Sequence, residues 1–194
     1  YPTAFDHALT HGYGWVRVRT KREHIRTFDQ DVWIEPVMNA DHVVPDAASS
    51  WPDSRDMKHL FFEELWPKSV FTKAFPKAKI TDFDTYASTL PHWIRGDGIM
   101  LAEFWVMRSV TRRLVAYRVD ATSAVQTSLL DELPDKKLPV GVENLREEDV
   151  EDEQVKGYLT NGVEILKPLP WVGKYIPFVS CFGKVLYVTE GTTA

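Results

Sequence analysis

Two histidines four residues apart, His7 and His11, could lie one helical turn from each other, the spacing at which two imidazoles can share a metal ion. The residues between them lack the Glu of the metalloprotease pattern, so the ordinary reading is two surface histidines near a helix end. His24, His42, His59 and His92 could in principle act as bases or ligands. The nearest approaches to an acid–base pair are Asp29 with Asp31 and Asp41 with His42, and adjacent strand residues face opposite sides. There is no phosphate-cradling Gly loop, no paired-Cys zinc site and no serine elbow. Cys181, the single cysteine, cannot form an internal disulfide; in its apolar context it reads as a buried thiol in a reducing compartment. Arg17, Arg19, Lys21, Arg22 and Arg26, with Trp15 and Trp33 nearby, form the best basic patch. That patch could grip nucleic acid, or serve as a charged sheet edge that discourages aggregation, which is the ordinary role. These absences weaken the enzyme reading, a hydrolase with an unrecognised site, without eliminating it, and no metal and no cofactor are expected.

The elements that would have to position such residues belong to a globular protein. Of 194 residues, 44% are hydrophobic and 12% aromatic, enough to bury a core in one domain spanning residues 1–194. The net charge of −5 and the absence of a long basic run argue against a phosphate-gripping surface. No apolar run approaches the roughly 20 residues that span a bilayer, and the start lacks a secretion signal, so a soluble protein is expected. A start without Met and an end directly after a strand-like run lead to the expectation of a piece of a longer polypeptide.

Residues Thr3 to Thr10 predict a short helix closed by Gly12 and Gly14, followed by a strand from Trp15 and, after a charged turn, a second at Asp31 to Val37. A short run at His42 to Val44 extends the sheet. Met57 to Leu65 fits helix or strand by pattern alone. Pro67 opens a helix running to about Phe75, and another helical piece covers Thr81 to Ser88. Gly96-Asp97-Gly98 marks a turn, and Ile99 to Val110 with Leu114 to Val119 reads as a hairpin through Thr111-Arg112-Arg113. Thr122 to Leu133 fits a helix, and the acid-rich run Asn144 to Gln154, without EF-hand spacing, a solvated face or mobile loop. Strand character resumes at Gln154 to Leu159, and Asn161-Gly162 is a hairpin turn. The fold class is α+β, mainly antiparallel strands and hairpins with a few short helices.

The last stretch carries the most information. Val163 to Leu166 and Lys184 to Val188 read as strands, and the prolines between them exclude a central strand, so the chain there crosses an edge in extended form. Its segment Trp171-Val172-Gly173-Lys174-Tyr175-Ile176-Pro177-Phe178-Val179, followed by Gly183, resembles the portal proteins of tailed bacteriophages, of the short-tailed Salmonella-phage type. Further pieces resemble the family in the same order: Phe5-Asp6-His7-Ala8 through Gly12 to Val18, Gln30-Asp31-Val32-Trp33-Ile34 with Asn39, Val43 and Asp46, then Phe75-Pro76, then Leu101 to Trp105. The resemblance favours a strand at Met57 to Leu65. It implies a virion structural protein whose copies form a ring at one capsid vertex, through which DNA is packaged and ejected. By the same resemblance, this part belongs to the ring's wing region, and its partners are copies of itself, the capsid, the packaging motor and head-completion proteins. DNA passes without sequence-specific binding, no membrane is involved, and assembly occurs in the bacterial cytoplasm, the protein being encoded by a phage or prophage. Trp171, Tyr175 and Phe178 are expected to position the Pro-rich crossing, with Gly173 allowing its turn and Lys174, Ile176 and Pro177 completing the motif.

Overall fold

A computed structural model describes residues 2–78, 98–120 and 123–183, and the backbone of 94–95. The expected helix at Thr81 to Ser88, the Gly96-Asp97 part of the turn, His92 and the Lys184 to Val188 run lie outside the described residues. The chain is α+β, with mostly antiparallel strands and two short α-helices.

Helix α1 (Pro2–His11) turns Ala4 and Ala8 inward, and these small side chains let it lie close to strand β1 (Tyr13–Arg22). Gly14 is required by that approach, because a Cβ there would stand 2.0 Å from the Ala4 carbonyl oxygen. β1 is the middle of a three-stranded sheet, between β2 (Gln30–Pro36) and β10 (Phe178–Phe182). The β1–β2 register pairs Val18 with Ile34 and Arg19 with Trp33.

The second sheet contains β3 (Val43–Pro45), β4 (His59–Pro67), β6 (Gly98–Arg118), β8 (Glu143–Thr160) and β9 (Ile165–Leu169) in that order; β5 (Ile94–Arg95) and β7 (Gln126–Leu129) also pair with β6. Met57 to Leu65 resolves as a strand because β4 lies along β6, with Leu60 opposite Trp105 and Phe61 stacked on Phe104 at 4.6 Å. Pro67 caps α2 (Lys68–Ala74), whose Phe71 is fully buried and meets the Phe75 ring at 5.5 Å. Pro168 sits in β9, which has one strand neighbour among the described residues, where a missing N–H costs no ladder bond. The β8–β9 hairpin turns at Asn161-Gly162, with Gly162 at φ 84°, a left-handed conformation that glycine adopts freely.

Two sequence expectations are corrected. The hairpin through Thr111-Arg112-Arg113 is instead one unbroken strand, β6. None of those residues favours a turn, and Leu114 to Tyr117 find their antiparallel partner further on, in Gln126 to Leu129. Of the expected helix at Thr122 to Leu133, Thr122 lies outside the described residues and the rest holds β7 and a 3₁₀ turn at Leu130–Glu132 rather than a helix. The acid-rich run is an exposed strand, part of β8.

Contacts group the chain into two compact units, residues 1–107 with 155–194, and residues 108–154, a subdivision not evident from the sequence. In the first, Trp15, Val37, Met57, Leu60, Trp105 and Phe178 close one apolar core, and Phe71, Ile99 and Leu101 a smaller one.

Candidate functional site

The Pro-rich crossing follows β9. Pro170 and Pro177 limit its backbone freedom, and Trp171 closes it by donating its indole N–H to the Tyr175 carbonyl at 2.8 Å. The Trp171 ring rests edge-on against Trp105, 6.3 Å between centroids. Gly173 lies beneath that ring: a Cβ there would come within 2.5 Å of it, so the glycine is demanded by the seated indole and not by a positive φ. Ile176, Pro177 and Phe178 are buried, and the Pro177 carbonyl accepts from the Val18 N–H at 2.9 Å. The Arg17 guanidinium stands over the rings of Phe178 and Phe62, at 5.3 and 5.5 Å, and pairs with Glu103. Lys174 and Tyr175 face outward, the Lys174 ammonium 5.9 Å from the Tyr175 ring. The seven residues of the motif thus divide: Trp171, Gly173, Ile176, Pro177 and Phe178 fasten the crossing to its own core, while Lys174 and Tyr175 remain on the surface.

Beside this crossing the first unit carries a groove of about 540 Å³, lined by Tyr13, Trp15, Val43, Trp51, Pro52 and Phe182 among others. Its wall is the loop 46–56. The Asp56 carboxylate accepts from the Ser49 hydroxyl at 2.6 Å and from the Ser50 N–H at 2.8 Å, bonds that hold its pKa far below the ordinary carboxylate value. Asp46, bonded by the N–H groups of Ala48 and Lys58, is likewise lowered. Ser180 of β10 bonds the Ser54 hydroxyl and the Pro52 carbonyl, at 2.6 and 2.8 Å, and ties the loop to the three-stranded sheet. The groove is therefore preformed, with Trp51 52% exposed on its rim under the Arg55 guanidinium. Sequence reading missed it because its parts come from three distant segments. The local signal was Ser49-Ser50 before Asp56, a hydroxyl, two amides and a carboxylate able to close a loop on themselves.

The titratable candidates stay dispersed. His7 and His11 meet edge-to-face at 5.8 Å, and the nearby Asp41 accepts instead from the Tyr13 hydroxyl at 2.8 Å. Asp41 and His42 lie in a 3₁₀ turn. His59 stands 3.6 Å from Asp46. Among the described residues no three His, Cys, Asp or Glu side chains are grouped to hold a metal ion. Cys181 is half-buried, because β10 lies at a sheet edge among the described residues and alternates its faces. The basic patch is largely neutralised: Arg17 pairs with Glu103, and Arg19 and Lys21 share Glu35.

The family model for the Phage P22-like portal protein matches residues 1–193. The chain belongs to that family. No curated protein matches it. A portal-family protein is a structural component of the phage particle. In this portal chain the crossing 170–178 is a structural fastening, and the groove beside it is a preformed concavity. No helix among the described residues is long and apolar enough to cross a membrane.

Proposed function

We propose that this portal chain contributes the wing region of a ring built from identical subunits at one capsid vertex, through which DNA enters during packaging and leaves on ejection. The family match across residues 1–193 carries the reading. In this role the chain needs no active site. It needs two different complementary faces, because a head-to-tail contact repeated around an axis closes a ring. Capsid, packaging motor and head-completion proteins are the expected partners, in a particle assembled in the bacterial cytoplasm. DNA passes without sequence-specific binding, a role supported by the pairing of Arg17, Arg19 and Lys21 with carboxylates of the same chain, which leaves them poorly placed to grip phosphates. The same pairing weighs against a nucleic-acid-binding module.

Electron microscopy and sedimentation of the full-length polypeptide test the reading. Closed rings are expected from it, and a monomer or weak associate from residues 1–194 alone, since a stable contact needs on the order of 1,000 Å² of which one segment supplies a part. A full-length protein that stays monomeric under all assembly conditions overturns the proposal.

A further inference from the structure

His7 and His11 fall one turn apart on α1, and their ring centroids are 5.8 Å from each other. With metal–nitrogen bonds of about 2.0–2.1 Å, an ion shared by two imidazoles holds the ring centres roughly 5–6 Å apart, so the pair already has the separation of a chelate. The Glu missing between them is the general base of a metalloprotease and not one of its ligands. Its absence removes hydrolysis and leaves binding.

Hydrogen bonds fix the tautomer of one ring. The Thr10 hydroxyl donates to the Asp6 carbonyl at 2.8 Å, so its oxygen must accept in the 2.7 Å contact with the His11 Nδ1. His11 therefore carries its proton on Nδ1 and a lone pair on Nε2. A ring held through its second nitrogen in this way is oriented as metal-bound histidines are. The His7 Nδ1 is closed off from solvent and has no hydrogen-bond partner, a buried polar atom that a cation would satisfy.

Both rings line a pocket of about 120 Å³ with Met38, Asn39, Ala40 and Asp41. That volume is too small for an organic ligand, which takes roughly 300 Å³ or more, and suits an ion with a few waters. The Asp41 carboxylate, steadied by the Tyr13 hydroxyl, and the carbonyl end of α1 both bring negative potential to the pocket. Asp41 does not group with the pair as a third ligand, and its part is to attract the cation across the pocket.

We propose that His7 and His11 bind one divalent ion of the late first row, zinc or copper, through two imidazole nitrogens, with water completing its coordination. Imidazole selects these ions over magnesium and calcium, which take oxygen ligands. The bound ion clips the last turn of α1 and satisfies His7, a structural role for which no base is needed.

Zinc chloride titrated calorimetrically into the chelator-stripped full-length polypeptide tests it. One equivalent is expected to lose roughly tenfold or more in affinity in His7→Ala, as much in His11→Ala and no more in the double variant, because removing either ring destroys the chelate. Magnesium chloride is expected to give no such binding. Electron paramagnetic resonance of one bound Cu²⁺ should show coupling to two imidazole nitrogens in the unsubstituted chain and to fewer in either variant. Unchanged zinc affinity in both single variants overturns the proposal. Should a variant's circular dichroism show that it fails to fold, the copper spectrum of the unsubstituted chain decides: coupling to fewer than two nitrogens overturns the proposal.

Discussion

In the unit formed by residues 1–107 and 155–194, Trp15, Met57, Leu60, Trp105 and Phe178 pack into one apolar cluster, whereas the described residues of 108–154 bury only Val115 and Tyr117 among their hydrophobic side chains. Charge takes the place of that core in the second unit. Arg112 binds Asp131 and Glu132 at 2.8 and 3.0 Å and Asp152 at 2.9 Å; Arg113 reaches Asp149, and Arg118 reaches Glu143. Residues 108–154 hold eleven acids against seven basic residues, so most of the chain's net charge of −5 resides there. Apolar burial offers no charge for salt to screen, while exposed ion pairs weaken once the screening length falls to about 3 Å near 1 M salt. One chain thus contains two kinds of stability, with different sensitivities to its surroundings.

The largest expected effect lies in the apolar unit. Phe178→Ala removes a fully buried ring and the face on which the Arg17 guanidinium rests, at a cost of about 3–5 kcal/mol. Thermal unfolding followed by near-ultraviolet circular dichroism checks it, and an unchanged midpoint would break the contrast from the apolar side. Arg112→Met breaks it from the other side, leaving Asp131, Glu132 and Asp152 together without their shared cation. Limited proteolysis is then expected to cut first within residues 120–142, with the fluorescence of the apolar core unaltered. Molar sodium chloride should do the same to the unsubstituted chain and little more to the variant. Equal protease resistance at low and high salt would show that the ion pairs are not what closes the second unit.

A smaller effect sharpens the account of the crossing. Trp171→Ala should cost about 1–2 kcal/mol, less than a full core truncation because the ring is only half-buried. Gly173→Ala should be comparably harmful in the native chain and nearly neutral once the Trp171 ring is gone, since that ring is what the added methyl meets. Additive costs in the double variant would refute the seat. The smallest effect concerns acid. Because folding lowers the Asp56 pKa from an ordinary 3.8, its stabilisation is present above about pH 4 and fades as pH falls below it. Asp56→Asn should therefore be less stable than the parent at pH 7, with the gap narrowing below pH 4. A gap that stays constant down to pH 2 would count against this origin.

The same division decides what the sequence made legible. In the apolar unit, local signals placed several elements: Gly12 and Gly14 for the end of α1, the run from Trp15 for β1, Pro67 for the start of α2 and Asn161-Gly162 for the β8–β9 turn. In residues 108–154 the stabilising partners are distant in sequence and charged. Nothing adjacent to Arg112 reveals the strand it lies in, because its partners Asp131 and Asp152 are 19 and 40 positions away. No hydrophobic period marks a strand that is exposed on most of its length, and β8 was read as a solvated run for that reason. The crossing's motif was visible as aromatic and proline residues, but that Gly173 answers to the Trp171 ring required the ring's position. The groove, built from residues 13–15, 43–54 and 182, had no contiguous signature at all.

The turn at Asn161 also bears on chemical ageing. An Asn-Gly pair is ordinarily prone to lose its side-chain amide, because the unhindered glycine nitrogen can attack the neighbouring side-chain carbonyl carbon and close a five-membered imide. Here the Gly162 nitrogen donates to the Thr160 hydroxyl at 3.1 Å, and the Asn161 side-chain oxygen holds the N–H groups of Val163 and Glu164 at 3.1 and 2.9 Å. Ring closure would have to break these bonds inside a turn whose asparagine is 1% exposed. The folded hairpin therefore slows a reaction that the unfolded chain would undergo readily, and long storage should leave residue 161 an asparagine for as long as the turn stays closed.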